Sequence, residues 1–218
     1  TSKIIITDFI TIQNSIIKMR KFKVLSLLVC CLATTFMSSC LGDDDGNSGL
    51  SPEQVGQCLN AIKGRYTGEM VYASTNPDNA KDNTDTLQIA WTVMATDTTL
   101  TIYNFPAARI ASSIDDQKVA DALVDAMPAD VISKLYFFNN SPISFMMYPG
   151  PVTYEVNYGG EDHKVTAYFY AGNYSFGLHS ATAKKMQMQL ILGGVYFDDD
   201  LKTNHLKENK IFVFSSKW

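Results

Sequence analysis

Between Thr86 and Val93 the chain alternates without a break: Leu87, Ile89, Trp91 and Val93 are large and apolar, while Thr86, Gln88, Ala90 and Thr92 are small or polar. Successive side chains of a strand point to opposite faces, so a period of two means a strand with one wet face and one buried face. Such a strand needs hydrogen-bonded neighbours at its edges and an apolar layer over its inner face. Ala95-Thr96-Asp97 reads as a short loop into a second strand through Leu100 and Ile102. That strand changes face at Tyr103 and Phe105, as at a bulge, and the two strands form a hairpin. Further strands are expected over residues 69–73, 135–138, 143–148, 152–158, 164–171, 184–192, 195–197 and 211–214. Pro149-Gly150-Pro151, Gly159-Gly160 and Gly193-Gly194 are expected to turn the chain between them. The fold expected is mainly β, an antiparallel barrel or sandwich of about eight to ten strands, because those two arrangements hide sheet edges.

Two helices interrupt this pattern. Ser51-Pro52-Glu53-Gln54 offers a capping serine, proline at the first helical position and glutamine at the third, with Val55, Cys58, Leu59 and Ile62 on one face and Gly64 as the stop. A second, inserted helix is expected over 115–127, with Ser113 and Asp116 as a capping pair. Its apolar face would be Val119, Ala122, Leu123, Ala126 and Met127, before Pro128 ends it.

The first forty residues follow a different rule. From Met19 the chain reads Arg20, Lys21 and Lys23, then an apolar run from Val24 to Met37, then Ser38, Ser39 and Cys40. A run of about 14 residues is short of the roughly 20 that a spanning helix needs, and the charged, apolar, small-residue order is that of a secretion signal. Met37-Ser38-Ser39-Cys40 resembles the lipobox of bacterial lipoproteins, which implies cleavage before Cys40 and a lipid on its thiol. Several acyl chains, each contributing about 0.8 kcal/mol per CH₂ buried, would hold the protein on a membrane. The expected organisation is therefore an over-extended start at 1–18, a lipoprotein signal peptide at 19–39, an acidic flexible tether at 40–49 and a single β-rich domain at 50–218. Asp43, Asp44 and Asp45 behind the cysteine resemble the export signal of Bacteroidota surface lipoproteins, which implies the outer membrane and its outward face.

Of the four cysteines only Cys58 lies in the body, so no internal disulfide is expected there and the fold must rest on packing. Residues 1–39 carry five basic and one acidic side chain, which leaves 13 basic against 21 acidic from Cys40 onward, a net charge of −8. A surface of that sign repels phosphate backbones, so nucleic acid is not an expected partner.

Gly64-Arg65-Tyr66-Thr67-Gly68, opening the first strand behind a short helix, resembles the start of lipocalin-like, or calycin-like, domains, with Tyr66 where lipocalins carry tryptophan. Over the whole body the pattern is similar to surface lipoproteins of the Bacteroidota. The resemblance implies a lipocalin-like β domain and brings no activity with it.

The residues themselves offer little chemistry. His163, His179 and His205 are never two or four apart, so neither a strand nor a helix presents a pair to a metal. Asp198-Asp199-Asp200, with Asn204, His205 and Glu208, lacks the turn glycine of a calcium loop and reads as a solvated acidic loop. Ser175 lies outside any Gly-x-Ser-x-Gly elbow. No metal and no cofactor are expected. The later strands are unusually aromatic: Tyr154 and Tyr158 share one face, Tyr168 and Tyr170 share the face opposite Phe169, and Tyr174 follows. Rings on both faces cannot all be core, and tyrosine suits a binding surface because its ring stacks while its hydroxyl stays hydrated. The function expected is a membrane-anchored envelope lipoprotein with a non-enzymatic binding domain. Its ligand would be a glycan, a small apolar molecule or an envelope protein, with Tyr154, Tyr158, Tyr168, Tyr170 and Tyr174 as contacts. The alternative is a glycosidase-like envelope hydrolase pairing carboxylates among Glu69, Glu155 and Glu161.

Overall fold

A computed structural model of the chain describes residues 49–74, 84–198 and 200–216. The expected start at 1–18, the signal at 19–39, Cys40 and the acidic tether up to residue 48 lie outside the described residues. All described residues belong to one of two compact units, Ser48–Thr75 with Thr84–Trp218.

The first element is α1 (Pro52–Ile62), and its start is fixed locally: Gln54 N–H donates to Ser51 Oγ, and Ser51 N–H donates to Gln54 Oε1. Cys58, Leu59 and Ile62 form its buried face. Gly64, at φ +136, then turns the chain into β1 (Gly64–Ala73). Tyr66 at the head of that strand donates its hydroxyl to Ile62 O at 2.7 Å, so the motif ties the helix end to the sheet.

The remaining strands are β2 (Thr84–Met94), β3 (Thr99–Phe105), β4 (Ala129–Asn140), β5 (Ile143–Pro149), β6 (Val152–Tyr158), β7 (Glu161–Phe169), β8 (Gly172–Ser180), β9 (Lys185–Phe197) and β10 (Lys210–Ser216). Two further helices, α2 (Ala108–Ala111) and α3 (Gln117–Val124), separate β3 from β4. The pairing order is β10-β1-β2-β3-β4-β5-β8-β9-β7-β6, with β10 pairing β9 as well, so eight strands close on themselves. The fold is thus a closed antiparallel barrel with few helices, the lipocalin-like member of the two expected arrangements. The β6–β7 hairpin leaves the ring and extends the sheet along the second half of β9. Long β9 makes this arrangement workable: on one side it pairs with β10, and on the other with β8 up to Gln189 and with β7 from Leu192.

An eight-stranded ring can be filled by its own side chains or hold one small ligand, and here side chains fill it. Trp91, Phe105, Phe145, Phe212 and Phe214 are fully or almost fully buried there. Trp91 stacks on Tyr66 at 5.8 Å, meets Phe214 edge-on at 6.3 Å and donates its indole N–H to Met186 Sδ at 3.2 Å. Closure depends on Gly68, where a β-carbon would lie 2.2 Å from Ser215 O on β10 and 2.8 Å from the Trp91 ring.

Several expectations need correction. Gly193-Gly194 is no turn: β9 runs straight through it, with a bulge between the Tyr168 and Phe169 pairings. β8 had no alternating signature, because its inward position 177 is a glycine. A β-carbon there would lie 2.4 Å from Phe145 Cζ and 3.0 Å from Met188 Cγ, so larger neighbours fill the space. The inserted helix is capped by Asp116 alone, through Lys118 and Val119 N–H. It buries Val119, Ala120 and Leu123 and stops at Val124, which leaves Met127 beyond it and 84% exposed. The expected bulge in β3 is present, where Asn104 has φ +54 and gives its N–H to Asp130 Oδ1 at 2.9 Å.

Candidate functional site

Along β7 the buried residues are Val165, Ala167 and Phe169, so Tyr168 points outward, and Tyr170 lies just past the strand end. Tyr168 is in register with Gly194 on β9. The two glycines leave a groove floored by backbone, and tyrosine rings lie over both. A β-carbon on Gly193 would sit 2.7 Å from Tyr170 Cζ, and one on Gly194 would sit 2.8 Å from Tyr196 Cε2. Covering a strand glycine with an aromatic ring restores packing that the missing side chain forfeits. The rings form two pairs: Tyr168 meets Tyr196 edge-on at 5.5 Å, and Tyr170 tilts against Tyr174 at 5.4 Å. Tyr168, Phe169, Tyr170, Gly193, Gly194, Tyr196 and Leu201 line a cleft of about 350 Å³. That is near the lower bound of the about 300–1,000 Å³ typical of small-molecule sites. The aromatic surface continues to Tyr148 on β5, 47% exposed, whose hydroxyl faces Gly172.

Of the five expected tyrosines, Tyr168 and Tyr170 therefore line the cleft and Tyr174 supports it. Tyr154 does not belong to it. On β6 it shares the inner face with Val152 and Val156, is 1% exposed, and donates its hydroxyl to Phe105 O at 3.2 Å. Burial pushes its phenol well above the usual range, as for a core tyrosine. Tyr158 is also elsewhere, at the tip of the β6–β7 hairpin, stacked on His163 at 3.8 Å. His163 Nδ1 lies 3.1 Å from Asp198 Oδ2. Burial, then Asp198 and Asp116, raise the Tyr158 phenol. Tyr196, Tyr148 and the glycine pair were missed. The available signal was two glycines inside an apolar run with a tyrosine two residues on, a pattern that fits a bulge as well as a turn.

The carboxylates do not converge. Glu155 is in register with Lys164, Glu161 with Tyr158 at the hairpin tip, and Glu69 on β1 accepts from Gln88 Nε2 at 3.1 Å. The acidic loop oxygens have protein donors: Asp198 takes Lys164 N–H, and Asp200 takes Lys202 N–H and the Thr203 hydroxyl, which lowers both carboxyls. Among the described residues no three His, Cys, Asp or Glu side chains are placed to hold a metal ion. Ser175 is buried and its Oγ accepts from Ile191 N–H at 3.5 Å. Cys58 is buried, and burial pushes its thiol up, away from reactivity. Among the described residues no helix is long and apolar enough to cross a membrane.

A family model described as a domain of unknown function matches residues 61–197, from the last turn of α1 to the end of β9. No curated protein and no solved structure matches the chain.

Proposed function

The chain belongs to the DUF4840 family, and we propose that it is a cell-envelope lipoprotein, anchored through lipid on Cys40, whose barrel carries an external tyrosine cleft for glycans. One observation carries the binding half of this reading: two tyrosine pairs stand on either side of a groove floored by Gly193 and Gly194. Pyranose rings have apolar C–H faces and a hydroxyl rim. A phenol ring stacks on such a face while its own hydroxyl bonds to the rim or to water. A glycine floor lets the sugar approach the backbone closely. The barrel interior is filled by Trp91, Phe105, Phe212 and Phe214, so the ligand is met on the outer wall.

Among the described residues that line the cleft there is no carboxylate, which favours capture over hydrolysis by paired acids. At about −0.3 kcal/mol per non-hydrogen atom, a single hexose binds with roughly −4 kcal/mol, in the millimolar range. Useful affinity then comes from an oligosaccharide long enough to span both tyrosine pairs. The anchoring half of the reading rests on the basic, apolar and small-residue order ending at Cys40. Orientation toward the cell exterior rests on Asp43, Asp44 and Asp45.

Calorimetric titration with cellohexaose, maltohexaose and chitohexaose tests the proposal. At least one is expected to bind, and Tyr170→Ala and Tyr196→Ala are each expected to weaken it at least tenfold while leaving the circular dichroism of the barrel unchanged. Equal affinity in the variants, or binding of none of the three, would remove the glycan reading.

A further inference from the structure

A second cleft lies where the end of β1, α2, α3 and the segment before β10 meet. It encloses about 300 Å³ and is lined by Tyr72 and Ala73, Arg109 and Ser112, Gln117 and Asp121, and Lys207, among others. The body of the chain is acidic and holds only two arginines, Arg65 and Arg109. One of them is placed here with Lys207, and Lys210 reaches the same wall by donating to Ser112 Oγ.

The position of Arg109 is unusual in three respects. Its guanidinium lies over the Tyr72 ring, 4.9 Å from the centroid, and Nη1 donates to Tyr72 Oη at 2.9 Å. Its Nε–H is buried with no acceptor among the described residues. Among the described residues no carboxylate lies within ion-pair distance of Arg109, Lys207 or Lys210, the only such pairs being His163–Asp198 and His205–Asp115. Among the described residues of the lining the one carboxylate is Asp121, which already accepts from Gln117 Nε2 at 2.7 Å. A guanidinium has five donors in a fixed fork that matches an oxyanion, and a buried cationic donor without an acceptor is costly. Burial pushes the Lys210 ammonium below its usual range; Glu208 opposes this, and the nearby charge of Arg109 adds a smaller lowering.

We propose that this cleft is an anion site, in which the Arg109 fork and the Lys207 ammonium grip the oxyanion, phosphate or carboxylate, of a small molecule. Tyr72 acts as the positioning residue that fixes the plane of the fork. The apolar side of the cleft, Ala108, Ala111, Ala120 and Val124, takes the uncharged remainder. The site shares no lining residue with the tyrosine cleft among the described residues.

Thermal melts and ¹⁵N NMR titrations of the purified protein with sodium phosphate and with sodium succinate, against sodium chloride at equal ionic strength, test this. A saturable rise in melting temperature is expected with at least one of the two, and which one responds identifies the head group. The amide shifts should centre on Arg109, Gln117 and Lys207 and leave Gly193 and Gly194 in place. Arg109→Gln and Lys207→Gln are each expected to weaken binding at least tenfold. Lys207 is exposed, so its variant keeps the fold and decides the matter if Arg109→Gln unfolds. A melt that responds to neither anion beyond chloride, or a Lys207→Gln protein that binds like the parent, would overturn the proposal.

Discussion

Replacing Trp91 by alanine removes the largest side chain from the barrel interior. The indole is fully buried, stacked 8° from parallel on Tyr66, edge-on to Phe214 and bonded to Met186 Sδ. A buried tryptophan covers about 150–250 Å², which at about 25 cal/mol per Å² is roughly 4–6 kcal/mol of transfer free energy. Measured truncations of this kind cost about 3–5 kcal/mol, because the surroundings relax only in part. The ring lies between strands β1 and β10 at the barrel seam, where Gly68 admits it without slack. A loss of about 4 kcal/mol is therefore expected, a large share of the roughly 5–15 kcal/mol that holds a domain. With a urea slope of about 2 kcal/mol per M, the unfolding midpoint drops by about 2 M. Tyr168→Ala is the matched control: its ring is half-buried on the outer wall, and losing it costs about 1 kcal/mol, mostly the contact with Tyr196. If Trp91→Ala keeps the parental midpoint while Tyr168→Ala collapses, the two faces of the sheet have been assigned the wrong way round.

Three other expectations follow from particular residues. Cys40→Ala is expected to lose labelling by an alkyne fatty acid and to leave the membrane fraction or stay uncut; continued labelling would place the lipid elsewhere. Gly68→Ala forces a β-carbon against Ser215 O, an overpacking of about 1–3 kcal/mol or more, and calorimetry should show a clear drop in melting temperature; an unchanged melt would contradict closure through β1 and β10. His179 is buried with Nδ1 unpartnered, and burial lowers its pKa from the ordinary 6.5. The unfolded chain then binds more protons, so stability is present above about pH 6.5 and falls as the pH drops toward the lower folded value. His179→Gln should flatten the melting temperature between pH 7 and 5 relative to the parent, and identical pH profiles would show that the ring is not held neutral.

What was legible in the sequence was whatever a few neighbouring residues decide. Ser51 and Gln54 cap α1 because the partners are three positions apart. The phase of β2 placed Trp91 inside, since one apolar face fixes register without knowledge of the partner strand. Features that depend on a neighbour across the sheet were not legible. Gly177 on β8 makes sense only beside Phe145 and Met188, and the Gly193-Gly194 pair only beneath Tyr170 and Tyr196. Tyr154 was misplaced because both faces of the β6–β7 region carry rings, and nothing local says which face the barrel covers. The convergence of Arg109 with Lys207 and Lys210, about a hundred residues further along the chain, depends on closure of the whole ring and has no local pattern.

Whether ligand is met on the outer wall, as proposed, or inside the barrel is read directly from NMR shifts during titration with the hexasaccharide that binds most tightly. With the ligand on the outer wall, the amides of Tyr168, Tyr170, Gly193, Gly194 and Tyr196 are expected to move together along one saturable curve while the Trp91 indole N–H stays fixed. Movement of the Trp91 indole and of the Met186 and Phe214 amides, with the outer-wall tyrosines unmoved, would put the ligand in the interior and contradict the proposal.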